Sequence, residues 1–258
     1  LCNSACPEGL GIKGLIHASR QKTIRLAGNT PGKEMSDPGS EKNIFRRFRM
    51  QKMPCTFKRE GADAELLFFP GCSGTYFFQG MPRAMEALLE QAGIDYSVMS
   101  GVDACCGAVA NGIGNTEILE RAARNNSEEM KKRGVKTIIT TCPACLMAFK
   151  SLYPEFVDMD FEIYQAAQYL MKLVDEQKLK PGKTASTVFY HDPCHLARGM
   201  GVYKEPRELL EGIPGTRLVN PGMEGSACCG LGGGVRRNFP EDSLQLAKER
   251  HDAAKKLG

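Results

Sequence analysis

The sequence lacks both long apolar runs and a strong charge of one sign. No apolar stretch approaches the roughly 18 residues that a membrane-spanning helix needs, and the net charge is only +4 over 258 residues. Long basic runs are also missing, so neither nucleic acid nor a charged membrane surface is predicted as a partner. The glycine-rich run 230–235 does not match G-x-G-x-x-G and follows no predicted strand, which argues against a dinucleotide site.

Cysteine is the residue that stands out against an otherwise ordinary composition. The hydrophobic fraction of 42% and the charged fraction of 25% are those of a globular protein, and 258 residues can form one or two domains. The cysteine count is odd, and several cysteines stand in CxxC or adjacent pairs, which favours metal binding over a disulfide framework. The eleven cysteines are Cys2, Cys6, Cys55, Cys72, Cys105, Cys106, Cys142, Cys145, Cys194, Cys228 and Cys229.

Short apolar runs alternate with amphipathic segments after a polar stretch at 28–43, which is predicted to be a loop or tether. A helix is predicted at 81–93 and another at 116–134, the latter capped by Thr116. The predicted strands are 65–69, 94–98 and 135–141, and a second round opens with a strand that runs to Pro and Cys at 186–194. This alternation predicts an α/β fold with parallel sheets and covering helices.

The two rounds are copies of one another in sequence. Cys72 is followed after 32 residues by a CCG triplet that begins at Cys105, and Cys194 is followed after 33 residues by one that begins at Cys228. This spacing indicates an internal duplication. The first copy continues to the CPAC motif at 142–145. Its counterpart falls at positions 265 to 268, so we expect the sequence to stop before the second copy is complete.

Each cysteine group of the first copy follows a predicted strand. Because the carboxyl ends of parallel strands meet at one edge of a sheet, five thiols can converge there, and the helix that opens at Pro143 favours the thiolate form. Zinc needs four tetrahedral ligands and gains nothing from adjacent thiols, whereas neighbouring sulfurs can bind different metals of a polynuclear centre. The glycines after the two pairs, Gly107 and Gly230, are expected to let the backbone approach that centre and donate N–H groups.

The pattern CysX32CysCysGlyX34CysProAlaCys resembles the cysteine-rich CCG domain of the heterodisulfide reductase family. The family's relatives include the iron–sulfur subunits of glycolate, lactate and anaerobic glycerol-3-phosphate oxidation. The resemblance covers about 63–258 and implies tandem CCG domains at 63–183 and 184–258, the second incomplete. It also implies noncubane [4Fe-4S] clusters. Their ligands would be Cys72, Cys105, Cys106, Cys142 and Cys145 in the first copy and Cys194, Cys228 and Cys229 in the second.

The opening LCNSACP matches the last two ligands of the ferredoxin motif C-x2-C-x2-C-x3-C-P. Ahead of CCG domains, it resembles the ferredoxin module of the D-type heterodisulfide reductase subunit. The resemblance implies that Cys2 and Cys6 each serve a cubane [4Fe-4S] cluster, that residues 1–12 end a ferredoxin-like module, and that 13–62 is a linker. Because the sequence starts at Leu1 inside this motif, we expect it to be a fragment.

The resemblance implies an oxidoreductase subunit of the heterodisulfide reductase type. Electrons would pass between a flavoprotein or membrane cytochrome b partner and a disulfide substrate at the CCG clusters. Alternatively, the clusters only relay electrons for a lactate, glycolate or glycerol-3-phosphate dehydrogenase. We expect a cytoplasmic location, including the inner face of the membrane, with any attachment made by the partner or by a segment outside this sequence.

Two alternatives from other classes stay open. One is a zinc-stabilised interaction module, and the other is a cluster-free thiol–disulfide enzyme that uses Cys142 and Cys145. Cys55 has no counterpart in the repeat and is predicted to be a bystander. His191 and His195 flank Cys194 and could transfer protons to a thiolate, although a structural hydrogen-bonding role is favoured.

Overall fold

The structure is a computed structural model of the whole chain. It describes residues 6–27, 34, 40, 41, 43, 55–101, 104–219 and 228–257. The chain divides into two compact units, Leu1–Tyr169 and Leu170–Gly258. The domain boundary predicted at 183/184 stays a prediction.

A four-stranded parallel sheet forms the centre of the first unit. Its strands stand in the order β2-β1-β3-β4, and β1 pairs with both β2 and β3. The strands are β1 (Leu66–Phe69), β2 (Ser97–Val98), β3 (Thr137–Thr140) and β4 (Glu162–Gln165). The first three confirm the predicted strands and the parallel α/β class, although each is shorter than the apolar run that predicted it. The fourth, in the sequence FEIYQ, was not predicted.

Helices cover this sheet, because its central strands β1 and β3 bury apolar side chains. All four residues of β1 are buried, as are Ile138 and Ile139 of β3. Leu89 of the helix over 80–91 and Leu119 of the helix over 116–132 are buried as well. The helices that follow the first three strands are α2 (Gly71–Tyr76), α3 (Gly80–Gln91), α4 (Ala108–Ile113), α5 (Thr116–Lys132) and α6 (Pro143–Met147).

Helix α5 confirms the long helix that was predicted at 116–134, but its N-terminal cap differs from the prediction. Asn115 holds the cap position without a side-chain cap bond, and Thr116 is the first helical residue. The hydroxyl of Thr116 instead accepts a hydrogen bond from Gln21 Nε2 at 2.8 Å. A contact from a distant part of the chain has therefore replaced the local cap.

After α6 the helix widens before it ends. A π-helical turn (Ala148–Leu152) leads into a 3₁₀ turn (Tyr153–Glu155), and β4 follows. π-Helical turns are rare and are frequently found at functional sites. Helix α7 (Ala166–Asp175) completes the segment, and the boundary between the two units falls within it.

Most of helix α1 (Ile12–Ala27) lies within the predicted linker 13–62. Arg20 donates to the carbonyl of Gly112 at 2.7 Å, and Gln21 bonds the start of α5. Gly114 has a φ of +99°, and a Cβ there would lie 2.6 Å from the carbonyl carbon of Arg20. Glycine thus permits α1 to approach the segment that joins α4 to α5. The polar stretch 28–43 lies almost entirely outside the described residues.

The second unit repeats the beginning of the order of strands and helices seen in the first unit. Strands β5 (Ser186–Phe189) and β6 (Thr216–Val219) pair in parallel. Arg207 makes two hydrogen bonds of 2.7 Å to the carboxylate of the buried Asp192, next to the segment that carries Cys194. The helices are α8 (Ala197–Met200), α9 (Glu205–Glu211), α10 (Val235–Asn238) and α11 (Pro240–Lys255). No helix in the described part of the chain is long and apolar enough to span a bilayer.

Candidate metal centre

Three strand ends bring five cysteines of the first unit to one edge of the sheet. Cys72 lies in the first turn of α2, directly after β1. The adjacent pair follows β2 and precedes α4, and Cys142 stands between β3 and α6, where it occupies the N-terminal cap position. The predicted convergence of Cys72, Cys105, Cys106, Cys142 and Cys145 at the carboxyl ends of parallel strands is seen in the structure.

The five thiols form two hydrogen-bonded groups, which the peptide between Cys105 and Cys106 links into one thiol network. Cys72 bonds the thiol of Cys105, and Cys145 bonds those of both Cys106 and Cys142. All five are free of disulfides. In the part of the chain that the structure describes, no three His, Cys, Asp or Glu side chains are grouped as ligands of a single metal ion. The sulfurs are instead joined pairwise across the three strand ends.

This network divides the thiols into proton donors and proton acceptors. The bond from Cys72 lowers the pKa of Cys105 to about 7, and the bond from Cys145 lowers the pKa of Cys142 to about 7. The same bonds, together with burial, raise the pKa of Cys72 and of Cys145 above the usual value for a thiol. Thiolates are the form that binds metals, so two of the sulfurs are prepared to bind before any metal arrives.

Backbone N–H groups add to the stabilisation of negative sulfur. The amide of Gly107 donates to the thiol of Cys105, and the amides of Ala144 and Cys145 donate to the thiol of Cys142. The N–H of Gly107 therefore points at a cysteine sulfur, and its approach to a metal centre stays a prediction. The position also needs glycine for packing, because φ is +73° and a Cβ would lie 3.0 Å from the Cα of Leu119 in α5.

Two further features of this edge fit a polynuclear metal group. Gly71 leaves space beside the thiols, since a Cβ there would lie 2.8 Å from the sulfur of Cys145 and 3.7 Å from the Cβ of Cys142. The hydroxyl oxygen of Thr141 is buried and lacks a hydrogen-bond partner among the described residues. Five soft sulfur donors exceed the four of a tetrahedral zinc site. The donor set thus fits a centre with more than one metal.

The second unit repeats the local geometry of the pair but not the network. The amide of Gly230 donates to the sulfur of Cys228 at 3.4 Å, the same offset as Gly107 to Cys105, and a Cβ on Gly230 would lie 2.5 Å from the carbonyl oxygen of Ser243. Cys194 is exposed. In the described residues its sulfur has no hydrogen bond with Cys228 or Cys229.

The remaining predicted residues have separate surroundings. Cys2 lies outside the described residues, and Cys6 is half-buried before a turn closed by the amide of Gly9. Cys55 is buried, and its thiol bonds the carbonyl of Thr56 rather than the network. Burial and the nearby charge of Arg250 lower the pKa of His191, which favours its neutral imidazole.

Three residues of this edge, Asn126, Tyr153 and Gly71, were missed by the sequence analysis. Asn126 of α5 donates to the carbonyl oxygen of Cys105 at 3.1 Å and to the hydroxyl of Tyr153 at 2.7 Å. A signal existed for Asn126, which occupies the apolar stripe of its helix between Ala123 and Met130. A polar residue at such a position needs a partner. Tyr153 and Gly71 gave no comparable signal.

The chain belongs to the family of CCG cysteine-rich domains. The family's model matches twice, at residues 66–150 and 188–258, and together these regions cover more than half of the chain. The first region contains the five-thiol edge, and the second contains Cys194, Cys228 and Cys229. The two matches confirm the tandem duplication that the cysteine spacing indicated.

Similar proteins carry the names of oxidoreductases. The chain is 30% identical over 264 residues to the D-type subunit of the dihydromethanophenazine:CoB--CoM heterodisulfide reductase of Methanosarcina mazei, covering 97% of this chain and 64% of that one. It is 35% identical over 190 residues to the B-type subunit of the fumarate reductase (CoM/CoB) of Methanothermobacter marburgensis, covering 74% and 37%. It is 29% identical over 251 residues to the EtfAB:quinone oxidoreductase of Syntrophomonas wolfei, covering 90% and 35%. The chain spans less than two thirds of the length of each.

Proposed function

We propose that the chain is part of an iron–sulfur oxidoreductase subunit whose first CCG domain holds a noncubane [4Fe-4S] cluster. The observation that carries the proposal is the network of five thiols around an adjacent pair. The names of the relatives, a heterodisulfide reductase among them, support the same class of protein. Cys72, Cys105, Cys106, Cys142 and Cys145 are the ligands that we assign to this cluster.

The substrate that we propose is a disulfide. Its reduction takes up two electrons and two protons and releases two thiols. A bound iron–sulfur cluster supplies single electrons and an open metal position for sulfur. The chain's own contribution is to hold five sulfurs at one edge, to keep Cys105 and Cys142 ready as thiolates, and to direct backbone N–H groups at them. The electrons come from a flavoprotein or membrane cytochrome partner.

An electron-relay role is the second candidate. The resemblance to an EtfAB:quinone oxidoreductase favours a protein that carries electrons without binding a disulfide. A lactate, glycolate or glycerol-3-phosphate dehydrogenase would then supply the electrons. In both cases Cys2 and Cys6 belong to ferredoxin-type cubanes, and Cys194, Cys228 and Cys229 belong to the second CCG domain.

Iron and acid-labile sulfide analysis of anaerobically purified protein tests the cluster. We expect about four irons and four sulfides per chain in the first domain, and loss of both in Cys106→Ser. Cys55→Ser is the matched control, since Cys55 is also buried but lies outside the network. A colourless protein with stoichiometric zinc would support the interaction module. A metal-free protein whose disulfide reductase activity needs Cys142 would support the thiol–disulfide enzyme.

Electron paramagnetic resonance distinguishes the disulfide substrate from the relay. The oxidised, cluster-loaded protein is titrated with a small thiol, the product of disulfide reduction. A new signal that depends on the thiol and is absent in Cys106→Ser supports direct chemistry on sulfur. A spectrum that does not change when the thiol is added, in a protein that still exchanges electrons with dyes, supports the relay.

A further inference from the structure

Asn126 is a buried amide in a mostly apolar stripe, in which Ser127 is the other buried polar residue. Only 2% of its surface is exposed, and the stripe on this side of α5 also buries Leu119, Ala123 and Met130. Burying an amide in apolar surroundings is unfavourable unless its hydrogen bonds are made there. The partners of Asn126 therefore indicate why a polar residue stands at this position.

The two amide hydrogens of Asn126 have two different partners. One bonds the carbonyl oxygen of Cys105 at 3.1 Å and the other bonds the hydroxyl oxygen of Tyr153 at 2.7 Å. The carbonyl of Cys105 belongs to the planar peptide unit that joins Cys105 to Cys106. Fixing that carbonyl fixes the plane, and with it the directions in which the two adjacent sulfurs leave the backbone.

Tyr153 is held rigidly beside the thiols. It is fully buried, its ring meets the edge of Phe149 with centroids 5.1 Å apart, and Phe149 in turn meets Phe69 of β1 at 4.9 Å. The hydroxyl oxygen accepts the bond from Asn126, so the rigid ring fixes the position of the Asn126 amide.

We propose that Asn126 is a positioning residue of the metal centre, which orients the peptide between the adjacent cysteines, and that Tyr153 holds the amide of Asn126 in place for this role. This inference rests on the proposed function and deepens it. Residues that orient metal ligands through hydrogen bonds strengthen metal binding. Asn126 thus governs how well the adjacent pair accepts metal.

Tyr153→Phe removes the oxygen that accepts the second amide hydrogen of Asn126, without leaving a cavity. In the full-length protein we expect Tyr153→Phe to retain iron less well than the wild type. Tyr164→Phe is the control, because the hydroxyl of Tyr164 bonds Glu162 at 3.3 Å on the exposed side of β4. Iron retention in Tyr153→Phe equal to that in Tyr164→Phe would overturn the role of Tyr153 in holding Asn126.

Asn126→Leu tests the orientation of the pair, with Asn125→Leu as the control on the exposed face of the same helix. We expect Asn126→Leu to retain iron about 10-fold less well. In the iron-free protein, the ratio of alkylation at Cys105 to that at Cys106 by iodoacetamide should change in Asn126→Leu only, as read by peptide mass spectrometry. Iron content and alkylation ratio that both match Asn125→Leu would overturn the positioning role.

These outcomes separate this inference from the proposed function. Loss of iron in Cys106→Ser alongside wild-type behaviour of Asn126→Leu and Tyr153→Phe overturns the inference and leaves the iron–sulfur function standing. A wild-type protein without iron overturns the proposed function, while the alkylation ratio still tests the orientation of the pair. Tyr153→Phe keeps the inference falsifiable if Asn126→Leu does not fold.

Discussion

A Cβ atom on Gly71 would lie 2.8 Å from the sulfur of Cys145, so the residue before Cys72 limits the space around a cysteine that is 74 residues away in the chain. Gly71 also has a φ of +68°, a backbone conformation that disfavours side chains. The end of β1 and helix α6, which carries Cys145, therefore approach each other closely at the position where the five thiols meet.

Gly71→Ala should reduce both stability and metal retention. The left-handed backbone alone should cost about 1–2 kcal/mol of unfolding free energy, and displacement of the Cys145 sulfur should lower the iron content. Gly93→Ala is the control, because Gly93 has a φ of +66° but nothing within 4 Å of its Cβ position. Urea denaturation and iron analysis check both variants. Equal iron content in the two would contradict a role for the Gly71–Cys145 approach.

The two CCG copies should differ in their dependence on a single cysteine. Cys72→Ser removes a thiol that bonds the pair, whereas Cys194 is exposed and has no hydrogen bond with its pair in the described residues. We therefore expect Cys72→Ser to lose most of the iron of this chain and Cys194→Ser to keep nearly all of it. Iron analysis after anaerobic gel filtration measures this. Equal losses would mean that both copies hold a cluster of similar stability.

Gly114→Ala should release helix α1 from the first unit. A Cβ on Gly114 would lie 2.6 Å from the backbone of Arg20, and backbone cannot move aside as a side chain can. The bonds from Arg20 to Gly112 and from Gln21 to Thr116 should then be lost. Hydrogen exchange should show faster exchange over 12–27. Gly134→Ala, with a φ of +67° and open space, should leave that protection unchanged.

The contribution of Glu86 to the stability of the first unit should decrease as the pH rises above the usual pKa of a glutamate. Burial raises the pKa of Glu86 from 4.5, and the amide of Lys58 and the hydroxyl of Tyr96 bond its carboxyl at 3.1 and 3.2 Å. The folded state therefore binds this proton more tightly than the unfolded state does. The contribution is fully present below pH 4.5 and is lost as the pH rises through the folded pKa.

Glu86→Gln should remove this dependence. The unfolding free energy of the wild type minus that of Glu86→Gln should fall between acidic and neutral pH, as measured by urea denaturation. Glu129→Gln is a control of opposite sign, because Arg133 lowers the pKa of Glu129 and its contribution is lost as the pH falls. A wild-type minus Glu86→Gln difference that rises with pH would contradict the buried, proton-binding carboxyl.

Local patterns in the amino-acid sequence encode the central strands, the long helix and the duplication of this protein. Apolar runs before Cys72 and Cys142 marked two central strands, the stripe of α5 marked its long helix, and the repeated cysteine spacing marked two copies. Because parallel strands end at a common edge, the convergence of the first-copy thiols followed from this order alone. None of these inferences required knowing which residues touch.

The distant residues that complete the site are set by tertiary packing. Asn126 stands 21 residues from Cys105 and 27 from Tyr153, and Gly114 meets Arg20 across 94 residues, so no local period reveals either contact. Which thiols donate a proton and which become thiolates also depends on how the sulfurs are paired by hydrogen bonds. Periodicity in the sequence determines the face of an element on which a side chain lies. The partner of that side chain depends on how the elements pack against one another. The chemistry of the five-thiol edge depends on those partners.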